Sequence, residues 1–475
     1  MPAEKTAFSG PDLCKLTARE AIALLKRKEV SSAELLAASQ ERIAQTSPAI
    51  NAMVTQCPER AADAAAHSEP SSVLAGLPIG IKDLTPVAGV RTTFGTPGMA
   101  DFVPEESDPL VTRLEDRGAV VVGKTNTPEL GAGANTFNPI FGPTRNPWDT
   151  RMNAGGSSGG AAAGLATGEV WLSHGSDLGG SLRTPAGYCG IVGLRPSPGV
   201  AGGGSAQQGF DSMPVQGPMA RNVADCALFL DAMAGFDPVW PLSMPAPMNS
   251  YLETCLADPG AVRIGFSPDM GGLAPIDKAM EDALRDGMAR IDIPGFEVVE
   301  AAPELGAVDQ TFRTLRALGF WAGARKTPEE ITRQYKATLQ QNIADGVALK
   351  PEDIAEALIE RSAIYDRILA FLGQYDVIAC PISGLFPLPW ENEYPPEVAG
   401  VPSRDYLDWL KFTFPASLCG LPALALPLGR NKDGMPFGVQ LIGQPRGEGR
   451  LLQIARAIEE SLALGQVPVD PNVTH

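Results

Sequence analysis

The chain has 475 residues, a formal net charge of −17 and a sequence pI near 4.7. With 44% hydrophobic and 20% charged residues, it is long enough to bury one large core or several ordinary ones, while its acidity argues against binding nucleic acid or an anionic membrane through charge. Histidine is the scarcest residue, at three (His67, His174 and His475), which argues against a histidine-rich metal site and leaves few candidates for the usual general base.

Along the chain, the first fifty residues read as a helical hairpin (11–48). Thr17–Glu20 and Ser31–Glu34 each match a capping box, in which hydroxyl and carboxylate satisfy backbone donors reciprocally, and each precedes an amphipathic run. From about residue 70 the texture changes. LAGLPIGIKDL and GAVVVGKTN are short apolar runs bounded by glycine and read as buried strands, with the helical PLVTRLEDRG between them. Alternation of strand and helix predicts an α/β domain. Residues 151–198 are dominated by Gly, Ser and Ala and pass into the helix NVADCALFLDAMAG, so 70–235 forms the candidate catalytic core. Residues 240–400 read mainly helical, as a substrate-side region, before the strand YDVIACP and a proline-rich loop. An α/β return over 405–465 closes the chain with ALALPLG, FGVQLIG and a terminal helix. No repeat, charge block or linker divides these segments, and a single domain over 1–475 is expected.

The seven cysteines are scattered, odd in number and never C-x-x-C. Most sit in apolar stretches, where a reduced cysteine behaves as a small hydrophobe. The N-terminal residues lack a signal-peptide core and no run of about 18 apolar residues occurs, so a reducing cytoplasm is the expected compartment.

Chemistry concentrates in Ala154–Gly160 and Gly175–Pro185, where glycines flank serines. Glycine removes side chains from around a hydroxyl and frees backbone N–H groups to converge, as an oxyanion hole requires. The alternatives are weaker. No Gly-Lys-Ser/Thr follows either run, as a phosphate-binding loop would need, and the formal G-x-S-x-G at 155–159 lacks a suitable downstream histidine, His174 lying in a strand-like run. A hydrolase without histidine needs another base. Free lysine is neutral only about once in 2,500 at pH 7, so burial must lower its pKa by about three units. Lys82 and Lys124 both leave apolar, strand-like runs, and composition and spacing do not choose between them.

These segments resemble the amidase signature family. The likeness lies in Gly155–Gly160 with Asp177–Pro185, and extends to Gly76–Asp83, Gly123–Leu130, Thr144–Trp148, Cys189–Pro196, Gly420-Leu-Pro and Gly438–Gly443. The resemblance implies an α/β fold with a large, twisted, mixed β-sheet covered by helices on both faces. It further implies a Ser–cis-Ser–Lys triad in which Ser181 is the nucleophile, Ser157 the bridging serine after a cis peptide, and Lys82 the base. Backbone N–H groups of Leu178, Gly179, Gly180 and Ser181 would form the oxyanion hole, and the carbonyl of Gly131 would orient substrate. No metal or other cofactor is implied; the partners are a small amide and water, with no nucleic acid or membrane, and a homodimer is compatible with this. The family also contains one component of a glutamine-dependent amidotransferase that works in a complex, whose D-x-x-T-x-P run holds the substrate ammonium. Here Thr413 and Pro415 match that run, but Leu410 replaces the acid and Phe412 and Phe414 surround it. The resemblance so read implies hydrolysis of small, mostly apolar or aromatic amides, with carbamates and esters as side substrates. Phe320, Trp321 and Trp390 are further aromatic candidates, and Arg183 is expected to anchor the glycine loop.

Overall fold

The short apolar runs read as strands all join one mixed sheet. The structure, a computed structural model, describes residues 8–202, 208–464 and 467–473, so His475 lies outside it. Eleven strands make the sheet. In chain order they are β1 (Met53–Gln56), β2 (Leu77–Lys82), β3 (Ala119–Thr125), β4 (Leu172–Asp177), β5 (Val192–Arg195), β6 (Val215–Ala220), β7 (Val262–Phe266), β8 (Phe296–Glu300), β9 (Val377–Pro381), β10 (Ala423–Arg430) and β11 (Pro436–Ile442). Their spatial order is β1-β3-β2-β4-β6-β5-β10-β11-β9-β7-β8. The β3–β2–β4 and β9–β7–β8 neighbours are parallel, and the remaining pairs antiparallel.

The hairpin forms as the capping boxes predict. Helices α1 (Ala18–Arg27) and α2 (Ser32–Ile50) both carry the complete reciprocal cap, whose hydroxyl partner is worth about 1 kcal/mol. The other helices that matter for the site are α3 (Gly159–Thr167), α4 (Arg183–Cys189), α5 (Val223–Met233), α6 (Val308–Ala324), α7 (Ala337–Ala348) and α8 (Pro351–Leu372). Every residue of β2 and β3 is buried, which requires cover on both faces. Ile79, Ile81 and Val121 pack into a core shared with α1 and α5, whereas Val120 and Val122 pack with the alanines of α3.

One irregularity decides what these strands display. Ile79 pairs with Val121, but Gly80 pairs with Gly123, so Val122 is an extra residue in β3. Beyond this bulge Ile81 pairs with Lys124 and Lys82 with Thr125. In an unbulged register the two lysines would stand side by side on one face; the extra residue reverses one of them.

The 240–400 region is mainly helical, as expected, but it also contributes β7 and β8 beside β9. These two strands leave a weak trace in the sequence because β8 (Phe-Glu-Val-Val-Glu) is the partly exposed edge of the sheet and has no buried apolar run. At the other end, parallel β2 and β4 run side by side and finish at Lys82 and Asp177. The glycine-rich loop follows β4 directly, at the carboxyl ends of parallel strands, where α/β sheets commonly place ligands.

Candidate active site

Lys82 is the last residue of β2 and is fully buried. Its Nζ lies 2.6 Å from Ser157 Oγ, 2.8 Å from Ser158 Oγ, 3.0 Å from Ser176 Oγ and 3.5 Å from the Ser176 carbonyl. Burial pulls its pKa down to about 7, with the Asp177 carboxylate acting in the opposite sense. A pKa near neutrality makes the neutral amine accessible at pH 7. The ammonium form donates to Ser157 Oγ, and the neutral form has a lone pair free to receive a hydrogen bond there.

Lys124 is also buried, and burial lowers its pKa to about 8 against the opposing pull of Asp83. Its Nζ donates to the Thr85 carbonyl at 2.7 Å and Thr92 Oγ1 at 2.8 Å and lies 3.3 Å from Asp83 Oδ1. Lys124 is thus held in an ion pair with Asp83, whereas Lys82 lies among the serines.

The bond between Gly156 and Ser157 is cis. Ser157 sits just before α3, and the next residue, Ser158, donates its N–H to the Ser181 carbonyl at 3.2 Å, tying the two glycine-rich segments together. Gly131 approaches from a third side: a Cβ there would lie 3.3 Å from Ser157 Oγ. Ser157, Ser181, Gly131, Leu178 and Gly179 all face one cavity of about 620 Å³.

The loop is held by a buried charge cluster. Asp177 accepts from the Gly180 N–H at 3.0 Å and the Leu182 N–H at 3.1 Å, and from Arg183 through Nε at 3.0 Å and Nη2 at 2.8 Å. Arg195 adds Nη1 at 3.2 Å. Burial would raise the carboxyl pKa, but the two guanidinium groups and the Gly180 N–H hold it well below the usual carboxylate range. Arg183 goes on to donate to the Thr413 carbonyl at 2.9 Å and to Gln440 Oε1. It therefore anchors the loop, as expected, and is itself fully buried. Gly180 has φ +102°, and a Cβ would fall 2.7 Å from Thr413 Cγ2, so only glycine fits. Because the Gly180 N–H already donates to Asp177, the N–H groups of Leu178, Gly179 and Ser181 are the ones left without a protein acceptor among the described residues.

His174 is buried within β4. Its Nε2 lies 2.7 Å from Gln216 Oε1, and its Nδ1 faces the Lys82 N–H at 3.4 Å. Burial pushes its pKa down to about 3, so it remains neutral at physiological pH. His67 is exposed on a surface helix with Asp63.

The aromatic candidates divide. Phe414 and Phe320 line the cavity with Leu410, and Phe414 stacks on Phe312 with ring centroids 3.7 Å apart. Phe412 does not line it: its ring is buried in the core behind the site, and its carbonyl accepts from Gln440 Nε2 at 2.9 Å. Residues two apart on a tight helical turn point in different directions, and Leu410 and Phe414 occupy the side that faces the cavity. Trp321 stacks under Arg325 and Trp390 under Arg145, and neither lines the cavity.

Residues not singled out from the sequence are Ser158 and Ser176, which hold the lysine, together with the Asp177–Arg195 pair and Arg316 in the cavity wall. Asp177 opens the second of the resembling segments, but nothing in spacing alone indicates which polar atoms meet. Among the described residues no cluster of His, Cys, Asp or Glu could hold a metal ion, all seven cysteines are free, and no helix is long and apolar enough to cross a membrane.

Known proteins resemble this chain over most of its length. The family model for Amidase matches residues 34–452. The A-type component of the glutamyl-tRNA(Gln) amidotransferase from Moorella thermoacetica is 36% identical over 95% of this chain and 97% of its own length. An acylamidase from Rhodococcus erythropolis is 33% identical over 94% of this chain and 95% of its own. Among solved structures, a bacterial aryl acylamidase of the amidase signature enzymes superposes with a TM-score of 0.88 at 25% identity, covering 94% of this chain and 96% of that one.

Proposed function

The chain belongs to the amidase family and is an amide hydrolase, and from that premise we propose that it cleaves the C–N bond of small, mostly apolar or aromatic amides through an acyl-enzyme on Ser181. The observation that carries this reading is the buried lysine, pKa about 7, within 2.6 Å of Ser157 Oγ. In the proposed sequence, neutral Lys82 takes the Ser157 proton as Ser157 takes that of Ser181, and Ser181 Oγ attacks the carbonyl carbon. The N–H groups of Leu178, Gly179 and Ser181 receive the developing oxyanion. The proton then returns through Ser157 to the leaving nitrogen, the amine departs, and water hydrolyses the ester by the reverse relay. Gly131 is assigned to orienting the substrate by its carbonyl. Carbamates and esters pass through the same tetrahedral chemistry and are proposed as side substrates.

The apolar preference is supported by Leu410, Phe312, Phe320 and Phe414 in the cavity wall. The competing reading, an ammonia-donating amidotransferase component that works in a complex, is favoured by the Moorella relative. Leu410 weighs against it, since it stands in the cavity wall where that component's motif has a carboxylate. Seven free thiols agree with a reducing cytoplasm.

The experiment is labelling with a fluorophosphonate, followed by mapping of the adduct, alongside turnover of acyl anilides, primary amides and aryl carbamates by the isolated chain. The reading expects an adduct on Ser181 and anilide hydrolysis. An adduct on Ser157 reverses the serine roles, and turnover only with a stoichiometric partner supports the amidotransferase reading.

A further inference from the structure

Helix α6 carries two arginines one turn apart with opposite surroundings. Arg313 is neutralised several times over: its guanidinium meets Asp309 at 2.7 Å, Asp405 at 2.6 Å and Asp408 at 2.8 Å. Arg404 and Lys411 share two of these carboxylates, Asp309 and Asp408. Arg316 has none. It is only 5% exposed and faces the cavity that contains Ser157 and Ser181. Its Nη1 donates to Asn342 Oδ1 at 2.7 Å and its Nη2 to the Tyr406 hydroxyl, both neutral acceptors. The rings of Phe320 and Tyr406 lie against the guanidinium, at 4.2 and 5.2 Å from its carbon.

A buried guanidinium ordinarily has a carboxylate partner, because removing an unpaired charge from water is costly. Of its five N–H donors, two are engaged here, and the rest find no acceptor among the described residues. The neighbouring cation, Lys336, is already matched to Glu393 at 2.7 Å. The cavity's other carboxylates are differently placed: Asp177 is tied to Arg183 and Arg195, while Glu106 and Asp108 belong to the loop entering the helix Pro109–Asp116, where Asp108 caps the Leu110 N–H. Beside Phe312, Leu407, Leu410 and Phe414, the cavity lining thus contains a positioned planar cation with no carboxylate partner among the described residues.

We propose that Arg316 selects substrates: the amides turned over best carry a carboxylate, received by the free edge of this guanidinium, on an otherwise apolar or aromatic body. Pairing of this kind is planar and bidentate, which lysine does not reproduce. The proposal rests on the catalytic reading above and narrows its substrate class. Arg316 is a specificity residue that takes no part in bond breaking.

The test compares arylamine release from two uncharged anilides, N-phenylpentanamide and 4-methylacetanilide, with that from two charged counterparts, N-phenylsuccinamate and 4-acetamidobenzoate. These place the carboxylate on either side of the scissile bond. The wild-type chain is expected to favour at least one charged anilide by about tenfold or more in kcat/KM, chiefly through KM. Arg316→Gln should erase that preference while changing the neutral anilides by less than about threefold, and Arg316→Lys should retain part of it. Thermal melting of both variants identifies a folding defect, and the lysine variant carries the test if the glutamine variant melts early. In a chain inactivated by Ser181→Ala, calorimetric binding of N-phenylsuccinamate should weaken on adding Arg316→Gln. No charge preference in the wild type, or an equal loss on charged and neutral substrates, overturns the proposal while anilide hydrolysis and Ser181 labelling leave the catalytic reading standing. Absence of both hydrolysis and labelling removes the two together.

Discussion

Lys82 and Lys124 lie on adjacent parallel strands in almost the same local sequence, yet one reaches Ser157 and the other Asp83. The extra residue Val122 in β3 sets this separation by pairing Lys124 with Ile81 instead of Lys82. Two buried lysines side by side would each raise the cost of charging the other; set apart, one lies among the serines, where it is proposed as the base, and the other is ion-paired.

The two lysines should therefore fail differently when changed. Lys82→Met is expected to cut kcat by several orders of magnitude with the fold intact, since the proposed serine relay loses its proton acceptor. Lys124→Met should keep kcat within about tenfold but lose about 3–5 kcal/mol of stability by leaving Asp83 buried without its ion partner. Steady-state kinetics with denaturant melts separates the two outcomes, and full activity of the Lys82 variant would remove it as the base.

The pH profile follows from the same residue. Lys82 must be neutral to accept a proton, and burial places its pKa at about 7. The rate of acylation should be low in acid, rise through about pH 7 and level off above it. His174, with a pKa pushed to about 3, contributes nothing to that limb. Its replacement by glutamine should leave the midpoint in place, as followed by pre-steady-state arylamine release; a midpoint that moved with His174 would reassign the titration.

Asp177→Asn is expected to be severe although this carboxylate does not take the substrate proton. It would leave Arg183 and Arg195 without their buried counter-charge and weaken the hold on the Gly180 N–H. A loss of about 3–5 kcal/mol is anticipated, with kcat falling more than KM rises because the oxyanion donors lose their alignment. Unchanged stability in a urea titration would contradict this account.

Leu410→Asp places a carboxylate in an apolar wall. Turnover of neutral anilides should drop by about tenfold or more, mainly through KM, because the new group is hydrated or protonated at the expense of aromatic contact. An anilide bearing an ammonium should gain relative to its neutral analogue. Measuring both substrates in parallel checks whether Leu410 sets the polarity of this wall.

Much of this architecture is local and legible. Capping boxes at Thr17 and Ser31, the buried runs of β2 and β3, and the glycine–serine segments announce themselves through nearest-neighbour chemistry, and the amidase resemblance supplies the roles of Lys82, Ser157 and Ser181. Edge strand β8 was not legible, since an exposed edge needs no apolar pattern. Phe412 and Phe414 look equivalent in the sequence, and both pack into one core, but only Phe414 also lines the cavity.

The sequence by itself determined which chemical groups are available: three histidines, lysines at the ends of apolar runs, and serines flanked by glycine. Which of them meet was decided by tertiary structure alone. The bulge at Val122 separates the lysines, the Asp177 cluster draws the Gly180 N–H out of the expected oxyanion set, and Arg316 is left unpaired beside a crowd of aspartates. Each depends on atoms far apart in the chain, where register and burial, not residue type, set the local charge balance. The acidity of the chain acquires a narrower meaning beside that last result, because a protein of net charge −17 keeps one uncompensated cation where its substrate is proposed to bind.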